Sequence, residues 1–85
     1  MKRLGIIAII VKCGNEEIPL EIQKLLSAYS KIIVGRMGVP DKESGYNTIS
    51  VIVKGKLEDI SALSGKLGKI QNVSVKSALT SVEIA

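Results

Sequence analysis

The chain has 85 residues, a formal net charge of +4, no histidine, phenylalanine or tryptophan, and one cysteine. These counts exclude an internal disulfide and leave too few nitrogen and sulfur ligands for a zinc or iron–sulfur site. We expect a single domain over residues 1–85, with no metal and no cofactor. A chain this short buries only about 60% of its unfolded surface, so its core gives a thin margin of stability. Disulfides, metals and oligomerisation are the usual additional sources, and only oligomerisation remains here.

The chain opens with MKRLGIIAIIVKCG, two basic residues before an apolar run that resembles a short signal peptide. The run has no small-residue cleavage site and falls short of the roughly 20 apolar residues of a membrane span. We therefore interpret residues 4–12 as the first strand of a cytoplasmic protein. Its two alternating faces are both apolar: Ile6, Ala8 and Ile10 on one, Ile7, Ile9 and Val11 on the other. Strands of this kind are covered on both sides.

The remaining elements follow in order. Residues 13–15 form a turn, and helical spacing then predicts a first helix through Ile18, Ile22, Leu25, Leu26 and Tyr29. Residues 31–39 read as a second strand, 40–45 as a turn, and 46–54 as a third strand that Gly55 breaks. A second helix has one apolar face, made of Leu57, Ile60, Leu63, Leu67 and Ile70. A last strand runs from Val73 to about Thr80, and the weakly alternating residues 81–85 could extend it.

The order β-α-β-β-α-β predicts an α+β, ferredoxin-like fold with a four-stranded antiparallel sheet and two helices on one face. In that arrangement the first strand is central. Since the helices cover only one side of a strand that is apolar on both, the other side must meet something else. We expect a second copy, giving a sheet-to-sheet or edge-to-edge dimer.

Arg36 follows the apolar run of the second strand and lies between Gly35 and Gly38, in the stretch KIIVGRMGVP. A guanidinium can bind a carboxylate or phosphate through two parallel hydrogen bonds, so Arg36 is a candidate clamp for an anionic effector. The alternative is an ion pair with Glu43, Asp41, Glu16 or Glu17, or with a second chain. A glycine in a strand often marks a bulge or a close approach of another backbone.

The stretch SGKLGK, residues 64–69, has some likeness to a phosphate-binding loop. It lacks the Walker spacing, lies inside a helical pattern, and has no Ser or Thr after either lysine. We favour the plainer interpretation, in which Gly65 and Gly68 allow a close helix approach or loosen the last helical turn.

Other chemistry has little support. The turn around Cys13 could hold an anion on free N–H groups, but this signal is weak. Without histidine there is no Cys–His pair, and general acid–base catalysis lacks its usual residue. The sheet also lacks the paired aromatics of RNA-binding domains, and the first turn lacks the arginine of an acylphosphatase-like enzyme.

Three segments carry a resemblance to a known family: LGIIAIIV, YSKIIVGRMGVP (residues 29–40) and ISALSGKLGKIQNVSVK (residues 60–76). Over almost the whole chain the sequence resembles the small regulators of the iron-only hydrogenase system, which are stand-alone relatives of ACT domains. The family is similar in fold to the effector-binding half of nickel-responsive repressors. The resemblance implies a ferredoxin-like fold, side-by-side oligomers and ligand sensing.

The resemblance does not imply two properties of those repressors, nickel sensing and direct DNA binding, for this chain. Their nickel sites depend on histidines, which this chain lacks. The first residues lead directly into a strand, so we expect no ribbon–helix–helix segment and no direct DNA binding. The motif positions that the resemblance singles out as candidate ligand-binding residues are Gly35, Arg36, Met37, Gly38, Gly65, Lys66 and Gly68.

We therefore predict a non-enzymatic, ACT-like regulatory module, acting in transcription or on the hydrogenase system, that oligomerises and binds a small anionic effector near the interface. Its partners would be itself, the effector, and a regulator or hydrogenase-system protein, with no membrane. The alternative is a structural interaction subunit with no small-molecule ligand. Weak nucleic-acid binding through scattered lysines is a third, less favoured option.

Overall fold

The computed structural model describes residues 1–14 and 16–85, so Asn15 of the predicted first turn lies outside the described residues. The predicted order of elements is confirmed. The elements are β1 (Lys2–Lys12), α1 (Glu17–Ala28), a 3₁₀ turn (Ser30–Ile32), β2 (Ile33–Asp41), β3 (Tyr46–Gly55), α2 (Leu57–Gly68) and β4 (Val73–Ile84).

The strands form one four-stranded sheet in the order β2-β3-β1-β4, and every neighbouring pair is antiparallel. This is the predicted ferredoxin-like arrangement, with β1 and β3 in the centre. β2 and β4 are the two edge strands, and each has a strand neighbour on one side only among the described residues. Edge strands are the places where another strand can be added.

The core lies between the sheet and the two helices. Odd-numbered residues of β1 and β3 face the helices, so their aliphatic side chains pack against the apolar stripes of α1 and α2. The buried core residues are Ile7, Ile9, Val11, Ile22, Leu26, Val51, Val53, Ile60, Leu63 and Leu67. Each such side chain contributes about 1.5–3 kcal/mol by leaving water, so this layer holds the fold together.

Several strand boundaries differ from the prediction. β1 begins at Lys2 rather than at residue 4, and β2 begins at Ile33, because residues 31 and 32 belong to the 3₁₀ turn. β2 continues through Pro40 and Asp41, which the sequence assigned to a turn. An edge strand tolerates proline because the missing N–H can face away from the sheet. β4 continues to Ile84, as the alternation of the tail allowed, with an irregularity in its pairing to β1 between Arg3 and Gly5.

Gly5 shows why β1 needs a residue without a side chain near that irregularity. A Cβ at this position would clash with Cδ2 of Leu79 and would lie 2.9 Å from the carbonyl oxygen of Ala78. Both contacts come from β4, so β4 crosses β1 too closely for any side chain here. Glycine at position 5 is therefore a packing requirement.

The other side of the sheet, which we call the open face, is covered by neither α1 nor α2. On β1, Ile6 and Ile10 are 46% and 41% exposed, and Ile52 of β3, directly opposite Ile6, is 45% exposed. Met37 and Val39 of β2 continue the apolar surface to the edge of the sheet. The prediction that β1 is apolar on both faces is confirmed. Within the described residues, neither helix has the length and apolar character that a membrane crossing requires.

Candidate functional site

Arg36 lies on the edge strand β2 and on the helix side of the sheet, since it pairs with the buried Val51 of β3. Its Nη2 donates a hydrogen bond of 2.6 Å to Oε1 of Gln23 on α1. Both side chains are exposed. The acceptor is a neutral amide, so this contact orients the guanidinium and leaves its positive charge uncompensated.

A shallow cleft of about 290 Å³ separates α1 from β2 at this point, lined by Gln23, Leu26, Ser27, Ser30, Ile33 and Arg36. The guanidinium, the hydroxyls of Ser27 and Ser30 and the amide of Gln23 give it hydrogen-bond donors that suit a carboxylate or phosphate. The cleft adjoins the C-terminal half of α1, whose dipole favours the guanidinium and opposes an anion. A single copy of the chain is therefore only a weak anion site.

The other motif residues of β2 divide between the two sides of the sheet. Gly38 shares the helix side with Arg36, whereas Gly35 and Met37 pair with Ile52 and Ser50 and lie on the open face. The predicted bulge is present, because the register shifts between Ile33 and Gly35.

The predicted close approach at the two glycines of β2 is absent inside the described chain. A Cβ at Gly35 would meet nothing within 4 Å, and one at Gly38 would make an ordinary contact of 3.8 Å with Ile49. The fold of one copy therefore does not require glycine at either position.

The second motif lies elsewhere. Gly65, Lys66 and Gly68 belong to α2, and Lys66 borders the groove between α1 and α2, which is distinct from the cleft beside Arg36. Its Nζ lies 5.2 Å from the centre of the Tyr29 ring, within the range of a cation–π contact. The seven candidate residues therefore do not form one pocket in a single copy.

Neither glycine of α2 has the close neighbour that we expected as one explanation. A Cβ at Gly65 or Gly68 would meet nothing within 4 Å among the described residues. The other explanation agrees with the end of the helix. α2 ends at Gly68, and the N–H groups of Lys69 and Ile70 bond to carbonyls three residues back, at Lys66 and Leu67.

The turn after β1 uses its first N–H internally. The backbone N–H of Cys13 donates to the carbonyl oxygen of Gly45 at 2.8 Å, which joins this turn to the β2–β3 hairpin. The exposed Cys13 thiol lies 3.4 Å from Oδ1 of Asn47. That N–H is therefore not available to an anion. Within residues 1–14 and 16–85, no three His, Cys, Asp or Glu side chains are grouped so that they could hold a metal ion.

The sequence did not identify Gln23 as part of this region. Its position on α1 follows from helical spacing, but the spacing does not say which strand lies beneath it. The groove between α1 and α2 was missed for the same reason. This groove, of about 620 Å³, has Lys24, Lys66 and Lys69 together with Glu17 and Glu21 along its walls, and its charges are mixed.

Comparison with known proteins places the chain in a family. Residues 3–77 match the model of the TM1266-like family, which is described as "Iron-only hydrogenase system regulator, putative". The chain belongs to this family. A solved structure of the uncharacterized protein TM1266 from Thermotoga maritima is 35% identical and has a TM-score of 0.87, covering 93% of this chain and 98% of that one. No curated protein matches the chain.

Two more distant structures show the same fold. The ACT domain of GTP pyrophosphokinase from Chlorobium tepidum has a TM-score of 0.75 at 20% identity, covering 92% of this chain and 100% of that one. The C-terminal domain of MgtC from Mycobacterium tuberculosis has a TM-score of 0.70 at 9% identity, covering 92% and 87%. The chain therefore has the ACT-like fold that its sequence predicted.

Proposed function

We propose that this member of the family is a non-enzymatic regulatory module that pairs with a second copy along β2 and binds a small anionic effector at the seam. The observation that carries the proposal is the position of Arg36. It stands on the edge strand β2, it donates a hydrogen bond to the neutral amide of Gln23, and it borders a cleft with further donors. The absence of histidine and the description of the family as regulators support a role without catalysis.

Pro40 indicates which backbone groups of β2 are available for pairing. A proline in an edge strand is tolerated where its nitrogen faces away from the sheet. The register from Gly35 to Asp41 is continuous, so the backbone groups of Gly38 and Arg36 face the same way as those of Pro40. A second strand that adds to this edge would therefore bond to Arg36 and Gly38.

The side chains of β2 favour one register for an antiparallel pair of identical strands. When the two-fold axis passes beside Met37, Arg36 stands opposite Gly38 of the other copy, and Val39 stands opposite Gly35. Within residues 35–39, every large side chain except Met37 then faces a glycine. The register centred on Arg36 would place two like charges directly opposite each other, which destabilises a strand pair.

This pairing would account for glycines that the single chain does not need. It would also bring the two Arg36 side chains to the same side of the sheet as diagonal neighbours, about 7–8 Å apart. Their repulsion amounts to roughly 0.5 kcal/mol in water and about 2 kcal/mol at an effective dielectric constant near 20. An anion bound between the two guanidinium groups would relieve this repulsion. Its attraction to two positive charges would also outweigh the opposing dipole of α1, so effector binding and dimerisation would be coupled.

The experiment compares Arg36→Ala with a control variant, Arg3→Ala. Arg3 is the other arginine of the chain, and its Nη2 lies 3.8 Å from Oε1 of Glu83 in a salt bridge. Thermal unfolding is measured with inorganic phosphate, pyrophosphate and short dicarboxylates. We expect at least one of these anions to stabilise the wild type and Arg3→Ala and to have no effect on Arg36→Ala. Equal shifts in all three proteins would refute the clamp.

One observation favours an alternative, an interaction subunit without a small-molecule ligand. Arg36 already has an acceptor at 2.6 Å, and the C-terminal half of α1 suits a guanidinium better than an anion. In this case Arg36 would stiffen the edge for a protein partner of the hydrogenase system. A dimer whose dissociation constant is the same with and without every tested anion would favour this alternative.

A further inference from the structure

The open face has an apolar centre. Ile6 stands between Ile52 on β3 and Ala78 on β4, and Ala8 and Ile10 continue the row along β1. Among these, Ile6, Ile10 and Ile52 keep between 41% and 46% of their residue surface exposed. Pairing of two copies along β2 would lengthen this surface and would not cover it.

Charge on the open face is almost all of one sign. The strand register places four lysines there: Lys2, Lys12, Lys54 and Lys76. Lys76 stands beside Ala8 on the edge strand β4, Lys54 beside Leu4, and Lys12 at the far end beside Tyr46. Asp41 is the one acid that the strands place on this side, so their net charge on the open face is +3, out of +4 for the whole chain.

This charge distribution argues against a second copy lying face to face on the sheet. Packed sheets lie about 10 Å apart, which is about one Debye length at 0.1 M salt, so like charges at the rim of a contact repel with partial screening. Two identical faces would oppose lysines to lysines, with one aspartate from each copy to compensate. A partner with the opposite charge would gain from the same lysines.

The apolar centre argues against nucleic acid. A phosphate backbone is bound by charged and polar groups along its path, and single strands stack their bases on aromatic rings. Here the middle of the face is aliphatic, and Tyr46 at one end is the aromatic residue that the register places on it. The lysines surround a surface suited to apolar side chains.

We propose that the open face docks an acidic amphipathic helix of another protein. Such a helix would lie over the sheet as α1 and α2 do on the opposite side, with its apolar stripe on Ile6, Ile10 and Ile52. Its carboxylates would reach Lys54, Lys76 and Lys12 at the rim. This surface is separate from Arg36, so the inference does not depend on the anion clamp.

The probe is a synthetic helical peptide of about 18 residues, roughly 27 Å long, with leucines on one face and glutamates on the other. A second peptide has lysines in place of the glutamates. Binding to isotope-labelled protein is followed by amide NMR shifts and titrated at two salt concentrations. We expect the acidic peptide to bind, with shifts confined to β1, β3 and β4 and with weaker binding at high salt.

Two double variants provide the matched comparison. Lys54→Glu/Lys76→Glu reverses charge on the open face, and Lys24→Glu/Lys69→Glu does the same beside the groove between α1 and α2. We expect the first to weaken peptide binding at least about tenfold and the second to leave it within about twofold. Circular dichroism is the check that both variants are folded.

The inference is overturned if the acidic peptide causes no shifts, if its shifts map to the helix side, or if the lysine peptide binds equally well. It is also overturned if a duplex oligonucleotide or anionic vesicles produce the open-face shifts while the acidic peptide does not. Loss of self-association in Lys54→Glu/Lys76→Glu would assign the face to a second copy and would equally overturn it.

Discussion

Arg36 on β2 and Gln23 on α1 are joined by a hydrogen bond of 2.6 Å between Nη2 and Oε1. The bond connects the edge strand to the helix that crosses it, and it directs the guanidinium along the cleft between them. Because Gln23 is the acceptor, an acidic residue at position 23 would neutralise the charge of Arg36 without altering Arg36 itself.

Gln23→Glu is the test of that relationship. The new carboxylate would form an exposed ion pair with Arg36, worth about 0.2–1 kcal/mol, so stability should stay the same or rise slightly. An anionic effector would then compete with an internal carboxylate, and its affinity should fall about tenfold. The measurements are urea unfolding and titration with the anion that gives the largest thermal shift. Unchanged affinity would show that the effector does not contact Arg36.

Gly38→Val tests the role of the glycine opposite Arg36 in the proposed pair. Inside one chain the substitution meets only an ordinary contact with Ile49 at 3.8 Å, and valine suits a strand, so the fold should be retained. Across the proposed seam it would fill the space that Arg36 of the other copy needs. Sedimentation velocity should show a shift toward monomer, while Lys76→Ala on the opposite edge strand should leave the distribution unchanged. An undisturbed dimer in Gly38→Val would contradict the register.

Gly5→Ala should be strongly destabilising. The new Cβ would clash with Cδ2 of Leu79 and lie 2.9 Å from the carbonyl oxygen of Ala78, so the β1–β4 pair would have to separate. We expect a loss of about 2 kcal/mol or more in the free energy of unfolding. Gly68→Ala, where a Cβ meets nothing within 4 Å, should cost less than about 0.5 kcal/mol. Similar losses at the two positions would show that the close β1–β4 approach is not what position 5 requires.

Gly65→Ala should stabilise the protein. Position 65 is exposed inside α2, a Cβ there meets nothing within 4 Å, and alanine is favoured over glycine in a helix by about 0.8–1 kcal/mol. Thermal unfolding should show a rise of a few degrees. If the effector response is unchanged as well, Gly65 has no part in ligand binding. Loss of the effector response with the fold intact would instead show that α2 takes part in effector binding.

The fold followed from the sequence because its signals are periodic. Alternation in β1 and β3 and helical spacing in α1 and α2 fixed both the element order and the two apolar faces of β1. The end of β2 was misplaced because Pro40 reads as a turn residue until its strand is known to lie at an edge. The glycines of α2 were ambiguous, since a glycine in a helix pattern does not reveal whether a neighbour approaches it.

The candidate site was less accessible to sequence reasoning. Gln23 and Arg36 are thirteen residues apart and meet only because α1 crosses β2. The lysines of the open face looked scattered along the chain, and the sheet register collects them on one side. Such groupings depend on the order of the strands in the sheet and on their register. The amino-acid composition gives no information about either.

Disulfide cross-linking at Met37 tests the pairing of two copies along β2 most directly. In the proposed register the two Met37 residues form a non-hydrogen-bonded pair with Cα atoms about 4.5 Å apart, within the range of a disulfide. Met37→Cys in a Cys13→Ser background should therefore cross-link almost completely under mild oxidation. Val39→Cys in the same background should remain uncross-linked, because its counterpart would lie four residues further along the strand. Cross-linking at Val39 with none at Met37, or at neither position, would contradict the account.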